Sequence, residues 1–105
     1  MSQFDVYVNT NSASKKQYPF LLDVQHAVLS VLKTRIVIPL CHIDTVDGIV
    51  MDTLMPTIRL HEQKYVLMTP PIAAVPDRIL SKPIGTLEHS CAEVLAALDF
   101  AITGV

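Results

Sequence analysis

The side chains able to hold a metal ion or act as nucleophiles are few: His26, His42, His61, His89, Cys41 and Cys91. Cys41 and His42 are adjacent, so on a strand they point to opposite faces and cannot easily share an ion. No other pair has ligand spacing. These residues read more simply as a small buried thiol beside an exposed imidazole, because free cysteine is among the most buried residue types. There is no G-x-S-x-G and no Cys/His pairing that spacing would select. Asp44, Asp47 and Asp52 fall in a polar stretch and read as solvated loop carboxylates rather than an acid/base pair. With 3 glycines in the chain there is no phosphate-cradling loop. Spacing alone therefore selects neither a metal or cofactor site nor a catalytic set.

Composition sets the frame. A chain of 105 residues supports one domain, 1–105, with a core of modest stability. It is 50% hydrophobic and 17% charged, which makes a buried oligomer interface plausible. The net charge is −2 and the pI near 6.0, without the basic surplus of a nucleic-acid binder. Lys15-Lys16 and the pair Lys33 and Arg35 are local exceptions. The cysteines form no CxxC, the start Met1-Ser2-Gln3-Phe4-Asp5 lacks a secretory pattern, and no apolar run approaches the ~20 residues of a bilayer span. A cytoplasmic protein with reduced thiols is expected.

The elements that must position these residues are mostly strands. Gln3 to Asn9 alternates, with Phe4, Val6 and Val8 on one face and Asp5, Tyr7 and Asn9 on the other, and predicts a half-buried strand. Asn9 to Gln17 reads as a mobile polar loop. Tyr18 to Gln25 is a second strand, with Pro19 marking a strand beginning or an edge. His26 to Lys33 fits either a strand end or a turn carrying exposed aliphatics, among them Val28 and Leu29. The β-branched run in Thr34 to Leu40 predicts a strand buried on both sides, ended or bent by Pro39. Cys41 to Pro56 reads as an irregular connection with room for a helical turn. Thr57 to His61 and Lys64 to Thr69 form a hairpin about Glu62-Gln63, and Ala74 to Ser81 is a last strand.

Thr86 to Val105 predicts an amphipathic helix. Leu87, Cys91, Val94, Leu95, Leu98 and Ile102 recur at spacings of three and four and share a face. Thr86 or Ser90 can cap it, and Gly104 is its stop signal. Phe100 falls almost opposite the stripe, where a bulky aromatic needs cover, most economically from a second subunit. Thr103-Gly104-Val105 is either tied to something or presented to something. Together the pattern is mainly β with a C-terminal α-helix, a small barrel or curled antiparallel sheet of about five strands.

Several separated stretches resemble the CcdB family of toxins from toxin–antitoxin modules. They are Gln3-Phe4-x-Val6-Tyr7, Asp23-Val24-Gln25, Arg35-x-Val37-Ile38-Pro39-Leu40, Met68-Thr69 with Ala74-Val75-Pro76, and the helix ending in Gly104-Val105. They follow the family's order and spacing over essentially the whole chain. The resemblance implies an SH3-like small barrel with a five-stranded antiparallel sheet, the CcdB/MazF-like toxin fold. It implies a homodimer, without enzymatic activity, that binds the A subunits of DNA gyrase and traps the cleaved DNA–gyrase complex. No membrane contact and no direct nucleic-acid binding are expected.

By the same resemblance, gyrase would be met by Asp99, Ile102, Thr103, Gly104 and Val105, with Val28 and Leu29. The family's end is Trp, Gly and an aliphatic residue; Thr103 departs from it, Asp99 stands where Asn is common, and Ile102 replaces an aromatic. A CcdA-like antitoxin with an acidic tail would meet Asn11, Lys15, Lys16, Val28, Leu29, His42 and Asp44. Two other readings are a MazF-like endoribonuclease using Arg35 and Thr69, and a degenerate member that binds antitoxin without poisoning gyrase.

Overall fold

The computed structural model describes residues 3–25, 33–45 and 54–103. Its strands are β1 (Asp5–Val8), β2 (Phe20–Asp23), β3 (Thr34–His42), β4 (Thr57–Leu60), β5 (Gln63–Leu67), β6 (Ala73–Pro76) and β7 (Gly85–Thr86). A single α-helix among the described residues, α1 (Cys91–Thr103), follows a 3-10 turn at Glu88–Ser90. All strand pairs are antiparallel, in the order β4-β5-β3-β2-β1-β7, with β6 attached to β3. The sheet curls until its two ends approach each other. A Cβ built on Gly85 of β7 would lie 3.1 Å from Leu60 Cδ1 and 3.1 Å from His61 Nε2, both at the end of β4. The result is a nearly closed barrel with one C-terminal helix.

The nine residues of β3 organise the sheet. On one side Val37 to Leu40 pair with β2. On the other, Thr34 to Val37 pair with β6 and Leu40 to His42 with β5. Pro39 therefore sits inside the strand instead of ending it. Its carbonyl accepts from Met68 N (2.9 Å), and its missing N–H falls where β6 hands over to β5, a place where a ladder tolerates proline.

Two cores follow from the period-two alternation. Val6, Leu22, Ile38, Leu40, Ile58, Leu60 and Leu67 fill the barrel, where Leu87, Val94 and Ala97 join them from the helix segment. Tyr7, Leu21, Val37 and Leu80 form a second cluster on the outer face, under Val75 and Ile79. Val6 and Tyr7, on opposite faces, are both fully buried, so the middle of β1 is covered on both sides, while Val8 at its end is exposed. The segment read as one strand from Ala74 to Ser81 is β6 followed by a 3-10 turn, Asp77–Ile79, whose fold-back lets Leu80 reach that cluster.

Two turns are tighter than their sequences suggest. The β4–β5 hairpin turns on His61 and Glu62, one residue earlier than the sequence implies, with φ of 51° and 67°. Two consecutive positive φ values give the twist that a two-residue hairpin needs. The 9–18 turn is an organised structure. Asn9 is buried; its Nδ2 donates to Ser14 Oγ (3.0 Å) and Tyr18 O (2.8 Å), and its Oδ1 accepts from Asn11 N (3.0 Å). Such side-chain to backbone bonds substitute for the ladder the turn lacks.

Phe4 also has a positive φ, 73°, unusual for a bulky residue. Its N–H donates to Asp23 O (2.6 Å), and its carbonyl accepts from Leu87 N (2.8 Å). This bend fastens the start of β1 to both β2 and the approach to α1. Thr86 assists there, its Oγ1 accepting from Glu88 N (3.2 Å).

Candidate functional site

The helix presents a different face from the one its leucines suggest. Leu87, Val94 and Ala97 are buried, with Cys91 and Leu98 partly so. Leu95 is 46% exposed and Ile102 79% exposed. The small Ala97 lets the helix approach the barrel closely, and that phase turns Leu95 and Ile102 outward. Phe100 is half-buried rather than fully exposed. Asp99 is exposed on the same last turns. Ile102 and Ala101 border a cleft of about 340 Å³ shared with Leu54, Thr69, Pro70 and Ile72. Ile72 is itself exposed, while Thr69 is fully buried and its hydroxyl has no hydrogen-bond partner. Sequence reasoning misses Leu54 and Ile72, because nothing local marks them as neighbours of the helix end. Of the remaining residues expected there, the structure describes the backbone of Thr103; Gly104, Val105, Val28 and Leu29 lie outside the described residues.

The second group of expected site residues gathers at one end of the sheet. Val8, Phe20 and Leu40 are in register across β1, β2 and β3, so the 9–18 turn and the segment after β3 leave from the same edge. Asn11, Lys15 and Lys16 are exposed on that turn, and Asp44 is exposed on the 3-10 turn Ile43–Thr45. His42 is half-buried and packs on Tyr65, ring centroids 4.8 Å apart; Tyr65 in turn meets Phe20 edge-on at 5.3 Å. Burial raises the Tyr65 phenol above its ordinary pKa. Cys41 is buried while its neighbour His42 is half-exposed, as opposite strand faces require. Among the described residues no group of His, Cys, Asp or Glu could hold a metal ion, and both cysteines are free thiols. No helix of the described residues is long and apolar enough to cross a membrane.

Beneath these surfaces lies a buried polar network that the sequence marks only as separate short motifs. Asp23 and Arg35 are 0% and 1% exposed. Arg35 Nε donates to Asp23 Oδ2 (2.8 Å), and Nη2 lies 2.6 Å from the same oxygen as an ion contact, out of line for a second hydrogen bond. Asp23 Oδ1 accepts from Gln25 N (2.9 Å), and Gln25 Oε1 accepts from Ile36 N (3.2 Å). The network bolts β2 to β3. Tyr7 lies near it, its pKa pushed up to about 12 by burial first and then by Asp5 and Asp23. Arg35 is therefore withdrawn from the surface and engaged by a carboxylate, and Thr69 is buried too.

The chain thus combines a nearly closed antiparallel barrel, a helix whose far end carries uncovered apolar surface, and the buried Asp23–Arg35 lock. A family model described as CcdB protein matches residues 3–104 of this 105-residue chain. This chain belongs to the CcdB family, the toxin component of toxin–antitoxin modules.

Proposed function

We propose that this toxin acts as a homodimer on the A subunits of DNA gyrase, trapping the cleaved DNA–gyrase complex, and that a CcdA-like antitoxin neutralises it. The observation that carries this reading is the end of α1, where Ile102 is 79% exposed. A barrel able to bury Leu87 and Val94 leaves its outermost helical isoleucine in water, and such apolar surface is what protein partners cover. The exposed side chain and the adjoining Thr69–Ile72 cleft belong to one patch. A protrusion and a recess on the same patch suit a two-fold axis, where each copy supplies both. Two such ends side by side would present Asp99, Ile102, Thr103, Gly104 and Val105 twice to a two-fold target.

Thr103 lacks the aromatic ring of the family's Trp. A cation–π contact is worth ~0.5–2 kcal/mol, so its loss at both copies lowers affinity, while Asp99 offers a carboxylate to an arginine instead. The test is truncation. Deleting Thr103 to Val105 should abolish growth inhibition and heat release on titration into the dimerisation fragment of gyrase's A subunits, with antitoxin binding retained. A truncated protein that still inhibits growth removes the helix end from the mechanism. A full-length protein that binds antitoxin but neither binds the fragment nor slows growth is the degenerate form. The endoribonuclease reading predicts specific RNA cleavage by the purified protein; the burial of Arg35 and Thr69 gives it no support.

A further inference from the structure

Both asparagines of the chain, Asn9 and Asn11, lie in the 9–18 turn, and the structure holds their side chains in opposite ways. Asn9 is buried, with Nδ2 donating to Ser14 Oγ and Tyr18 O and Oδ1 accepting from Asn11 N. Asn11 is exposed; its Nδ2 donates to no described residue, and its Oδ1 accepts from Ala13 N (2.9 Å). Ser12, which follows Asn11, is exposed too, and its N–H donates to no described residue. We propose that Asn11 is a site of spontaneous covalent modification, closing onto the Ser12 nitrogen with loss of ammonia and reopening as aspartate or isoaspartate.

The step needs only water. Ser12 N gives its proton to a solvent base and forms a bond to Asn11 Cγ. The carbonyl pair moves onto Oδ1 and returns as the bond from Cγ to Nδ2 breaks, and ammonia leaves with a proton from water. Water then opens the five-membered ring, giving aspartate by attack at Cγ and isoaspartate by attack at the main-chain carbonyl. Three features favour Asn11. The nucleophile is reached by solvent and is not tied up in a hydrogen bond. Negative charge develops on Oδ1, where the Ala13 N–H already donates, so the turn carries its own oxyanion donor. The leaving nitrogen is not held by a described residue, whereas Asn9 Nδ2 has two acceptors and is followed by the β-branched, crowding Thr10. The product changes the turn. Asn11 O accepts from Ser14 N (3.1 Å) and Lys15 N (2.9 Å), and isoaspartate inserts a methylene into the main chain at that point. Either product also sets a carboxylate on the turn that carries exposed Lys15 and Lys16.

The test is peptide mass spectrometry over time at mildly alkaline pH, on the full chain folded in buffer and unfolded in concentrated urea. In the folded protein Asn11 should gain about one dalton as its amide becomes an acid, while Asn9 should not. In urea both should gain it, with Asn11 no faster than in the folded protein. Folding that slows Asn11 as it slows Asn9 overturns the proposal, because the turn then protects the amide instead of activating it. Ala13→Pro removes the N–H that faces Oδ1 and should slow the folded-state reaction at least about tenfold. An unchanged rate, in a variant whose circular dichroism and melting match wild type, overturns the oxyanion assignment. Should Ala13→Pro disturb the fold, the comparison of folded and unfolded wild type decides.

Discussion

Replacing Arg35 with methionine should be among the most damaging single changes available to this protein. Arg35 is 1% exposed and supplies both close cationic contacts to Asp23 Oδ2. Without it, a carboxylate with no exposure keeps the Gln25 N–H at Oδ1 and loses its counter-charge. Breaking such a pair from one side costs ~3–5 kcal/mol, because the remaining charge is buried without compensation. Against a total of ~5–15 kcal/mol for a small domain, that is about a fifth or more of the stability. For a domain of this size each kcal/mol lowers the melting temperature by ~4–8 °C, so a drop of more than about 10 °C follows. Asp23→Leu alone should cost a similar amount by stranding the guanidinium. The double variant Asp23→Leu/Arg35→Met removes both charges and should recover most of the loss. It should remain ~1–3 kcal/mol below wild type, because Gln25 N then lacks its acceptor. Urea unfolding of the four proteins closes the cycle. A single-variant cost below about 1 kcal/mol, or a double variant as unstable as the two singles summed, would refute the account of the pair as a coupled buried lock.

Three further outcomes are open to the same measurements. Gly85→Val should destabilise by ~1–3 kcal/mol in urea melts, since its Cβ meets Leu60 and His61 at 3.1 Å where the barrel edges approach. His61→Asn with Glu62→Gly should stabilise the fold by ~0.5–1 kcal/mol, because both residues adopt positive φ and the new pair suits that turn; a lower urea midpoint would contradict the turn assignment. Tyr7→Phe should leave stability at neutral pH within about 1 kcal/mol of wild type, its hydroxyl having no hydrogen-bond partner. The same variant should be less sensitive to alkali. The folded pKa of Tyr7 is raised from 10.0 to about 12, so its contribution is fully present below pH 10 and is lost as pH rises toward 12. A wild-type melt unchanged over that window would argue against a buried phenol.

How far the sequence can be read depends on the range of each signal. The β-branched run through Ile36, Val37 and Ile38 and the alternation of Thr57 to His61 are local, and both became strands. The alternation around Tyr7 gives the correct faces but not their environments, because the cover on Tyr7 comes from Leu80, distant in sequence. Pro39 misleads for a related reason: its proper context is the junction of two partner strands, which no window around it contains. On α1 the three-and-four spacing accommodates two phases, and Ala97, too small to dominate a hydrophobic pattern, selects between them. At the candidate sites, Asn11, Lys15, Lys16, His42 and Asp44 follow from family resemblance, and their common sheet end is a consequence of register. The cleft of Leu54, Thr69 and Ile72 depends on how α1 lies on the barrel, which periodicity does not encode.

The bend at Phe4 has a consequence for synthesis. Its carbonyl waits for Leu87 N, and Asp5 pairs with Thr86. A nascent chain can assemble the β2–β3 and β4–β5 hairpins early, but it cannot close the loop until residues 85–87 have left the ribosome. Pairing across so long a separation is slow. The barrel is thereby closed only when nearly the whole domain has been made, because its first strand finds its last partner in residues 85–87.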